Sequence, residues 1–208
     1  MTQSAVIPLF PSRVRRAFSG DDAALVQAIR SNETAAAAEL FDRYGGYIQR
    51  VLTNILGFDA EVPDLLQEVF TRALGSIHSL NDGARLKAWL VSIAVFTARG
   101  CIRSRTRRRW LGLLPPQRMD EMGAPGVSDE IREALRCTYD LLTRLPADER
   151  IAFTLRHVNG MELAALAEVS GVSLATIKRR LTRARTRFLA LARHQPALHV
   201  WLEEARHD

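Results

Sequence analysis

The side chains best suited to chemistry in this sequence are basic ones on predicted helices, and they suit the binding of phosphates and bases. Between Leu163 and Phe188, the residues Ala167, Gly171 and Ile177 have the spacing of a helix-turn-helix, in which alanine lets two helices approach and glycine adopts the left-handed turn. The second helix, capped by Ser173, would reach base edges in the major groove. The alternative is the solvated basic face of an ordinary helical bundle. The candidate DNA-binding residues are Ser173, Thr176, Lys178, Arg179, Thr182 and Arg183.

A second group of cations lies in the middle of the chain, where six arginines fall between residues 99 and 109. They continue a helix predicted to begin near Arg85, and cations so close together repel one another unless a polyanion neutralises them. Three aromatic residues lie nearby in the sequence, and aromatic side chains can stack on unpaired bases: Trp89, Phe96 and Trp110. The competing interpretations are a nuclear-localisation tract for the arginines and a core or boundary position for Trp89. The candidate contacts are Trp89, Phe96, Arg99 and Arg103.

A helix predicted over residues 63–78 carries a different kind of surface. Asp64, Gln67, Glu68 and Thr71 share one face of this helix, opposite its apolar stripe. Taken alone, such a polar and mostly acidic face is typical of a solvated helix side.

The elements that carry these residues are all predicted to be helices. Apolar residues recur every three or four positions from residue 34 to 56, and the helices on either side repeat this period. Residues 112–128 contain three prolines and three glycines, which predict a linker. We therefore expect an all-α protein of two small helical domains joined by a flexible linker. The predicted parts are a mobile N-terminal arm (1–20), a four-helix domain (21–111), the linker (112–128), a helix-turn-helix domain (129–193) and a tail (194–208), with an optional helix from Ala197 to Arg206.

Length and composition exclude several classes of protein. The chain has 208 residues, 47% of them hydrophobic, which is enough to form a hydrophobic core of ordinary size. No apolar run approaches the roughly 18 residues of a membrane span, and residues 1–20 carry prolines and arginines in place of the apolar core of a signal peptide. We therefore expect a cytoplasmic protein without membrane insertion. Two cysteines and five histidines without ligand spacing predict no metal site and no redox cofactor. The net charge of +6 hides two acidic regions that are each followed by a basic segment, which indicates a bipartite nucleic-acid-binding surface.

Four motifs in sequence order resemble the extracytoplasmic-function (ECF) subfamily of bacterial RNA polymerase sigma factors, in the sigma-70 family. The motifs are DLLQEVFTRAL (64–74), AWLVSIAVFTARGCIRSRTRR (88–108), LPADERIAFTLRHVNGM (145–161) and LAEVSGVSLATIKRRLTRARTRF (166–188). The resemblance covers about residues 21–190. It implies a region 2-like first domain that binds core RNA polymerase and the minus-10 element, and a region 4-like second domain that binds the minus-35 element.

The resemblance also implies roles for individual residues. Asn81, Asp82 and Gly83 correspond to the family's loop that captures a flipped minus-10 base, although this chain lacks the usual FRGDS-like sequence there. It also lacks the asparagines that read the melted strand, so Phe96 either stacks on a base in their place or faces the core. The family's DLxQEVF helix binds the coiled coil of the largest catalytic subunit. The implied core-binding residues are Asp64, Leu65, Gln67 and Glu68.

The partners that the resemblance implies are core RNA polymerase, promoter DNA and an anti-sigma factor. The function that it implies is promoter-specific initiation of transcription, with assistance to promoter melting. It also implies that the protein is not an enzyme and needs no cofactor, because core polymerase supplies the catalytic site. One alternative is a stand-alone helix-turn-helix transcriptional regulator, which would bind specific duplex DNA without polymerase. A recombinase is a more distant alternative, because no serine, tyrosine or acid cluster in the sequence has a recognisable catalytic arrangement.

Overall fold

The part of the chain that the computed structural model describes, residues 18, 20–57, 59–110 and 128–199, consists of helices and short connections and contains no strand. This confirms the all-α prediction. Short 3-10 turns lie at Ile77–Ser79, Gly83–Arg85 and Pro196–Leu198. The helices are α1 (Asp22–Arg30), α2 (Thr34–Leu56), α3 (Val62–Ser76), α4 (Leu86–Trp110), α5 (Asp129–Thr143), α6 (Ala147–His157), α7 (Leu163–Ser170) and α8 (Leu174–Ala192).

Helices α1 to α4, the first half of the protein, pack around a shared apolar core. Helices α2, α3 and α4 pack pairwise against one another, and α1 lies on α2 and on the turn before α4. Leu40, Ile48 and Ile55 of α2 and Leu90 of α4 are completely buried, because the apolar stripes of these helices face inward. The long helix α4 thereby presents one side to the core and keeps another side at the surface.

Helices α5 to α8, the second half of the protein, contain the predicted helix-turn-helix in α7 and α8. Gly171 ends α7 with a φ of +66°, in the left-handed region that favours glycine. The Ser173 hydroxyl then caps α8 by accepting a hydrogen bond from the N–H of Thr176 at 3.3 Å. Both features of the predicted turn are confirmed. At the far end of α8 the chain folds back, and Leu198 is buried against α5.

The two halves pack against each other, which the sequence did not predict. Helix α6 lies against α2 and α4, and helix α7 lies against α4. Apolar side chains of both halves form one continuous buried cluster, to which the second half contributes Ile151, Leu155 and Leu166. The Nε of Arg150 also donates a buried hydrogen bond to the carbonyl of Ile55 at 2.6 Å. This carbonyl lies in the last turn of α2, where a helix leaves its carbonyls without internal partners.

Parts of three predicted segments lie outside the described residues: 1–17 and 19 of the N-terminal arm, 111–127 around the linker, and 200–208 of the tail, which include most of the optional terminal helix. Within the described part of the chain, none of the helices has the length and apolar character needed to cross a membrane.

Candidate nucleic-acid interface

Helix α8 separates apolar and basic side chains onto opposite faces. Ile177 and Ala184 are completely buried, and Phe188 stacks on Phe153 of α6 with ring centroids 5.1 Å apart. The opposite face is open to solvent, so that its first turns can reach base edges and its later arginines can reach phosphates. Of the six predicted contacts on this face, Thr176 is half-buried. The exposed ones are Ser173, Lys178, Arg179, Thr182 and Arg183.

The exposed stripe of α4 combines aromatic and basic side chains. Trp89, Phe96 and Arg103 follow one another at seven-residue intervals, which places them on one side of the helix. Trp89 is half-buried, whereas Phe96 and the Arg103 side chain are 58% and 66% exposed. Ala94 and Ala98, on the opposite side, are completely buried. The stripe can therefore offer aromatic rings to bases and a guanidinium to a phosphate.

Phe96 faces outward, so the core position considered for it is not the one observed. The guanidinium of Arg72 on α3 lies 5.3 Å from the centroid of the Phe96 ring, within the range of a cation–π contact. Beside the ring is a groove of about 580 Å³ that Ser92 and Arg99 also line. An exposed ring with polar and cationic neighbours is the composition of a stacking site for an unpaired base.

The loop before α4 is held tightly against α1. Arg30 of α1 donates a hydrogen bond to the carbonyl of Leu80. Gly83 comes so close to α1 that a Cβ at this position would lie 2.6 Å from the Cα of Ala23, so a larger residue would force one of the two segments to move. The loop thus has a defined position next to the aromatic stripe of α4. The other two predicted residues of the loop, Asn81 and Asp82, are exposed.

The arginines of α4 have different surroundings. The Arg105 side chain is only 13% exposed and forms ion pairs with Asp59 and with Glu61, the latter at 2.5 Å, in the connection between α2 and α3. Burial alone would lower the pKa of Arg105, but its hydrogen bonds to the two carboxylates outweigh that effect and raise the pKa. Arg105 therefore anchors α4 to the fold. Arg107 and Arg108, by contrast, are exposed.

The polar face of α3 carries the four residues that the resemblance implies in polymerase binding. Asp64 and Gln67 are exposed, and Leu65 and Glu68 are half-buried. Glu68 forms an ion pair with Arg72 one turn later at 2.6 Å, which fixes the direction of its carboxylate.

Two exposed apolar side chains also lie on α2 and α3. Phe41 of α2 and Leu74 of α3 are 47% and 37% exposed. The Phe41 ring packs on Phe70, with 5.0 Å between the centroids, and so is held in a fixed position. Apolar side chains that are exposed singly are ordinary on protein surfaces, so these two do not by themselves mark a binding site.

One carboxylate joins the two basic helices. Asp148, in the first turn of α6, forms ion pairs with Arg99 at 2.8 Å, with Arg180 at 3.1 Å and with Arg103 at 3.7 Å. The contact with Arg180 is a hydrogen bond, whereas the Nε–H of Arg99 does not point at a carboxylate oxygen, so that contact is electrostatic. Sequence reasoning missed Asp148, because acidic residues in a first helical turn are already explained by the helix dipole.

A second carboxylate lies at the loop before α4. Glu168 of α7 forms an ion pair with Arg85, immediately after the loop. Together with Asn81 and Trp89, it lines a groove of about 220 Å³. The predicted base-capture loop and the aromatic stripe of α4 are therefore both bordered by the second half of the protein. No sequence signal indicated this contact, since the two residues of the pair are far apart in the chain.

The groups that could support other chemistry are poorly reactive. Burial raises the pKa of the Cys101 thiol to about 11, so the thiol is protonated at neutral pH and is a weak nucleophile. Burial also raises the pKa of Cys137. Among the residues that the structure describes, no group of three or more histidine, cysteine, aspartate and glutamate side chains is arranged to hold a metal ion.

Comparison with protein families matches both halves of the chain. The Sigma-70 region 2 model matches residues 40–110, and the Sigma-70, region 4 model matches residues 135–188. The ECF RNA polymerase sigma-E factor of Haemophilus influenzae is 27% identical over 179 residues, which cover 79% of this chain and 91% of that protein. The ECF RNA polymerase sigma-E factor of Escherichia coli K12 is 25% identical over 173 residues, with coverages of 79% and 90%.

Two solved structures have a similar fold. CnrH, in complex with the cytosolic domain of CnrY, matches with a TM-score of 0.57 and 21% identity over 84% of this chain and 98% of its own. The sigma factor RpoE of Bartonella quintana, in complex with the anti-sigma factor NepR, matches with a TM-score of 0.58 and 24% identity over 74% of this chain and 95% of its own.

Proposed function

Because the chain belongs to the ECF subfamily of sigma-70 family RNA polymerase sigma factors, we propose that its two basic helices contact the two elements of a promoter. The protein is a sigma factor, a subunit that directs promoter-specific initiation of transcription. The family is not an enzyme class, and we assign catalysis to core RNA polymerase. One observation carries the assignment of the DNA contacts: each half of the protein holds a helix whose exposed face is basic, α4 with aromatic rings and α8 behind a capped turn.

The minus-35 element is read by α8. Lys178, Arg179 and Arg183 contact base edges, and each good bidentate pair is worth about 1–3 kcal/mol of discrimination against a wrong base. The exposure of these three side chains and the fixed start of the helix at Ser173 support this role. Around them, Ser173, Thr176 and Thr182 complete the contact surface.

The minus-10 element is bound by α4 and by the loop before it. Phe96 stacks on an unpaired base of the melted strand, and Arg103 binds a phosphate. Asn81 and Asp82 form part of the pocket for a flipped base, whereas Gly83 allows the close approach of the loop to α1. Trp89 and Arg99 line the grooves beside this surface and complete the set.

Core RNA polymerase binds the polar face of α3. Asp64, Leu65, Gln67 and Glu68 form the centre of this contact. The exposed side chains of Phe41 and Leu74 on α2 and α3 add apolar area, and buried apolar groups supply much of the free energy of stable protein contacts.

The domain organisation and the regulation follow the same assignment. Residues 21–111 form the region 2-like domain and residues 129–193 the region 4-like domain, with a linker at 112–128 between them. The two solved relatives are complexes with CnrY and with the anti-sigma factor NepR. By analogy, an anti-sigma factor binds this protein in the cytoplasm, where transcription takes place, and covers its polymerase- and DNA-binding faces.

The test of the function is in vitro transcription with purified core RNA polymerase on a pool of genomic fragments. We expect defined start sites only when both proteins are present. Replacing Arg179 and Arg183 together by alanine should reduce these transcripts by about tenfold or more, because base contacts are lost. An equal loss of binding to every DNA sequence would mean that the two arginines contact phosphates instead.

The polymerase contact is tested by charge reversal on α3. Asp64→Arg combined with Glu68→Arg should abolish co-purification with core polymerase, because two acidic groups of the proposed contact become basic. A matched control is Glu133→Arg with Asp140→Arg on α5, since Glu133, like Glu68, forms a local ion pair with an arginine of its own helix, at 3.4 Å. Normal co-purification of the α3 variant would refute the proposed contact face.

The same experiments distinguish a sigma factor from a stand-alone regulator. A regulator would bind a specific duplex tightly without polymerase, and the reversal on α3 would leave that binding unchanged. A sigma factor binds free promoter duplex weakly and gains specificity in the complex with polymerase.

A further inference from the structure

We propose that Arg72 of α3 is a further strand-binding residue, and that its ion pair with Glu68 couples binding of the melted strand to binding of core polymerase. Without polymerase, Glu68 keeps the Arg72 guanidinium paired. When polymerase engages Glu68, Arg72 can bind a phosphate of the strand beside Phe96. The proposal rests on the proposed function, in which the polar face of α3 contacts polymerase and Phe96 stacks on a base.

The first observation is that Arg72 contacts a residue of each proposed surface. Its Nε donates a hydrogen bond to the Glu68 carboxylate at 2.8 Å, and a second guanidinium nitrogen lies 2.6 Å from the same oxygen. The guanidinium carbon lies 5.3 Å from the centroid of the Phe96 ring on α4. One planar cation therefore connects a carboxylate of the polymerase-binding face to the aromatic ring proposed to stack on a base.

The second observation is the arrangement of the two grooves that border Phe96. A groove of about 450 Å³ is lined by Asp64 and Glu68 of the polymerase-binding face. The groove of about 580 Å³ on the strand-binding surface is lined by Arg99. Arg72 and Phe96 line both grooves, so they form the boundary between the two proposed surfaces.

The two partners of Arg72 compete because they offer it the same chemistry. A carboxylate and a phosphate both present negatively charged oxygens to the planar fork of an arginine. The Arg72 and Glu68 side chains are 47% and 42% exposed, so the pair is weak enough to exchange. A cationic group of polymerase that pairs with Glu68 leaves Arg72 to the strand, and by linkage a phosphate on Arg72 leaves Glu68 to polymerase.

The test uses Arg72→Gln in the full-length protein, with Arg136→Gln as the matched control. Arg136 also pairs with a glutamate of its own helix, Glu133, at 3.4 Å, and its side chain is 44% exposed. It lies on α5, which carries neither of the proposed contact faces. Both variants lose one exposed and locally paired arginine, and only Arg72 lies against Phe96 at the boundary between the two surfaces.

Fluorescence anisotropy measures the affinity for a short labelled single-stranded DNA of mixed sequence, with and without saturating core polymerase. Without polymerase, Arg72→Gln should bind within about twofold of the wild type, because Glu68 already neutralises Arg72. With polymerase, its affinity should be about threefold to fivefold lower. The slope of log affinity against log salt should also decrease by about 0.7, the value for one phosphate contact on a single strand. Arg136→Gln should match the wild type in both conditions.

A second comparison tests the role of Glu68 without polymerase. Glu68→Gln should raise the affinity of the protein for this DNA by about twofold, because Arg72 loses its intrahelical partner. The gain should be absent from the double variant Glu68→Gln with Arg72→Gln. A gain of the same size in the double variant would show that Glu68 acts by general repulsion of DNA, and the proposed coupling would be wrong.

Two results with Arg72→Gln would also overturn the proposal. Wild-type affinity in the presence of polymerase would mean that Arg72 does not contact the strand. An equal loss with and without polymerase would mean that Glu68 does not restrain Arg72. Failure of the proposed function has a different signature, namely no promoter-specific transcription by the wild-type protein with core polymerase, whatever the affinity of Arg72→Gln.

Discussion

Replacement of Arg105 by methionine should lower the free energy of unfolding while leaving the exposed basic stripe of α4 intact. Arg105 joins α4 to the connection between α2 and α3 through Asp59 and Glu61. Methionine keeps most of the aliphatic stem but provides no donor for either carboxylate. The Asp59 carboxylate, which is 4% exposed, would then lose the ion pair with Arg105 in a position with little access to water.

The structure sets the size of this effect. Removing one partner of a fully buried ion pair costs about 3–5 kcal/mol. The cost here is smaller, because the N–H of Glu61 still donates to the Asp59 carboxylate at 2.8 Å and the Glu61 side chain is 53% exposed. We expect a loss of about 2 kcal/mol, which corresponds to a decrease in Tm of about 4–8 °C for a protein of this size.

Thermal and urea unfolding followed by circular dichroism measure this loss, and Arg107→Met is the matched control. Arg107 is exposed on the same helix, so its replacement should change the free energy of unfolding by less than about 0.5 kcal/mol. The two variants should differ in the opposite way in their binding of single-stranded DNA. The affinity of Arg107→Met should depend less on salt than that of the wild type, whereas the salt dependence for Arg105→Met should be unchanged. Equal stability of the two variants would refute the anchoring role of Arg105.

Three further predictions concern single positions. Gly83→Ala should lower the Tm and speed hydrogen exchange in α1, because the new Cβ would lie 2.6 Å from a backbone atom of that helix. Gly75→Ala is the control and should have neither effect, because its Cβ would meet no atom within 4 Å. Ser173→Ala removes the cap of α8, so it should lower the free energy of unfolding by about 1 kcal/mol and also weaken promoter-specific transcription. Ser128→Ala removes the cap of α5 and should lower stability without changing transcription. The rate at which iodoacetamide alkylates Cys101 should keep increasing with pH up to about pH 11, because burial raises the pKa of this thiol to about 11. A rate that stops increasing above pH 8.5 would contradict the burial of the thiol.

The features that the sequence predicted well are those with local causes. The apolar period from residue 34 to 56 corresponds to α2 at both ends, because the stripe that defines the period is also the side that the core buries. The turn at Gly171 and the cap at Ser173 depend on the conformation of a few adjacent residues, so their residue types were sufficient to place them.

The features that the sequence did not predict depend on contacts between distant segments. Helix α4 packs against α2, α3, α6 and α7, so apolar residues occupy much of its circumference and the period alone does not show that Phe96 faces outward. The pairs of Arg105 with Asp59 and of Arg99 with Asp148 join residues more than 40 positions apart. Their charges were visible in the sequence, but their partners were set by the packing of the helices.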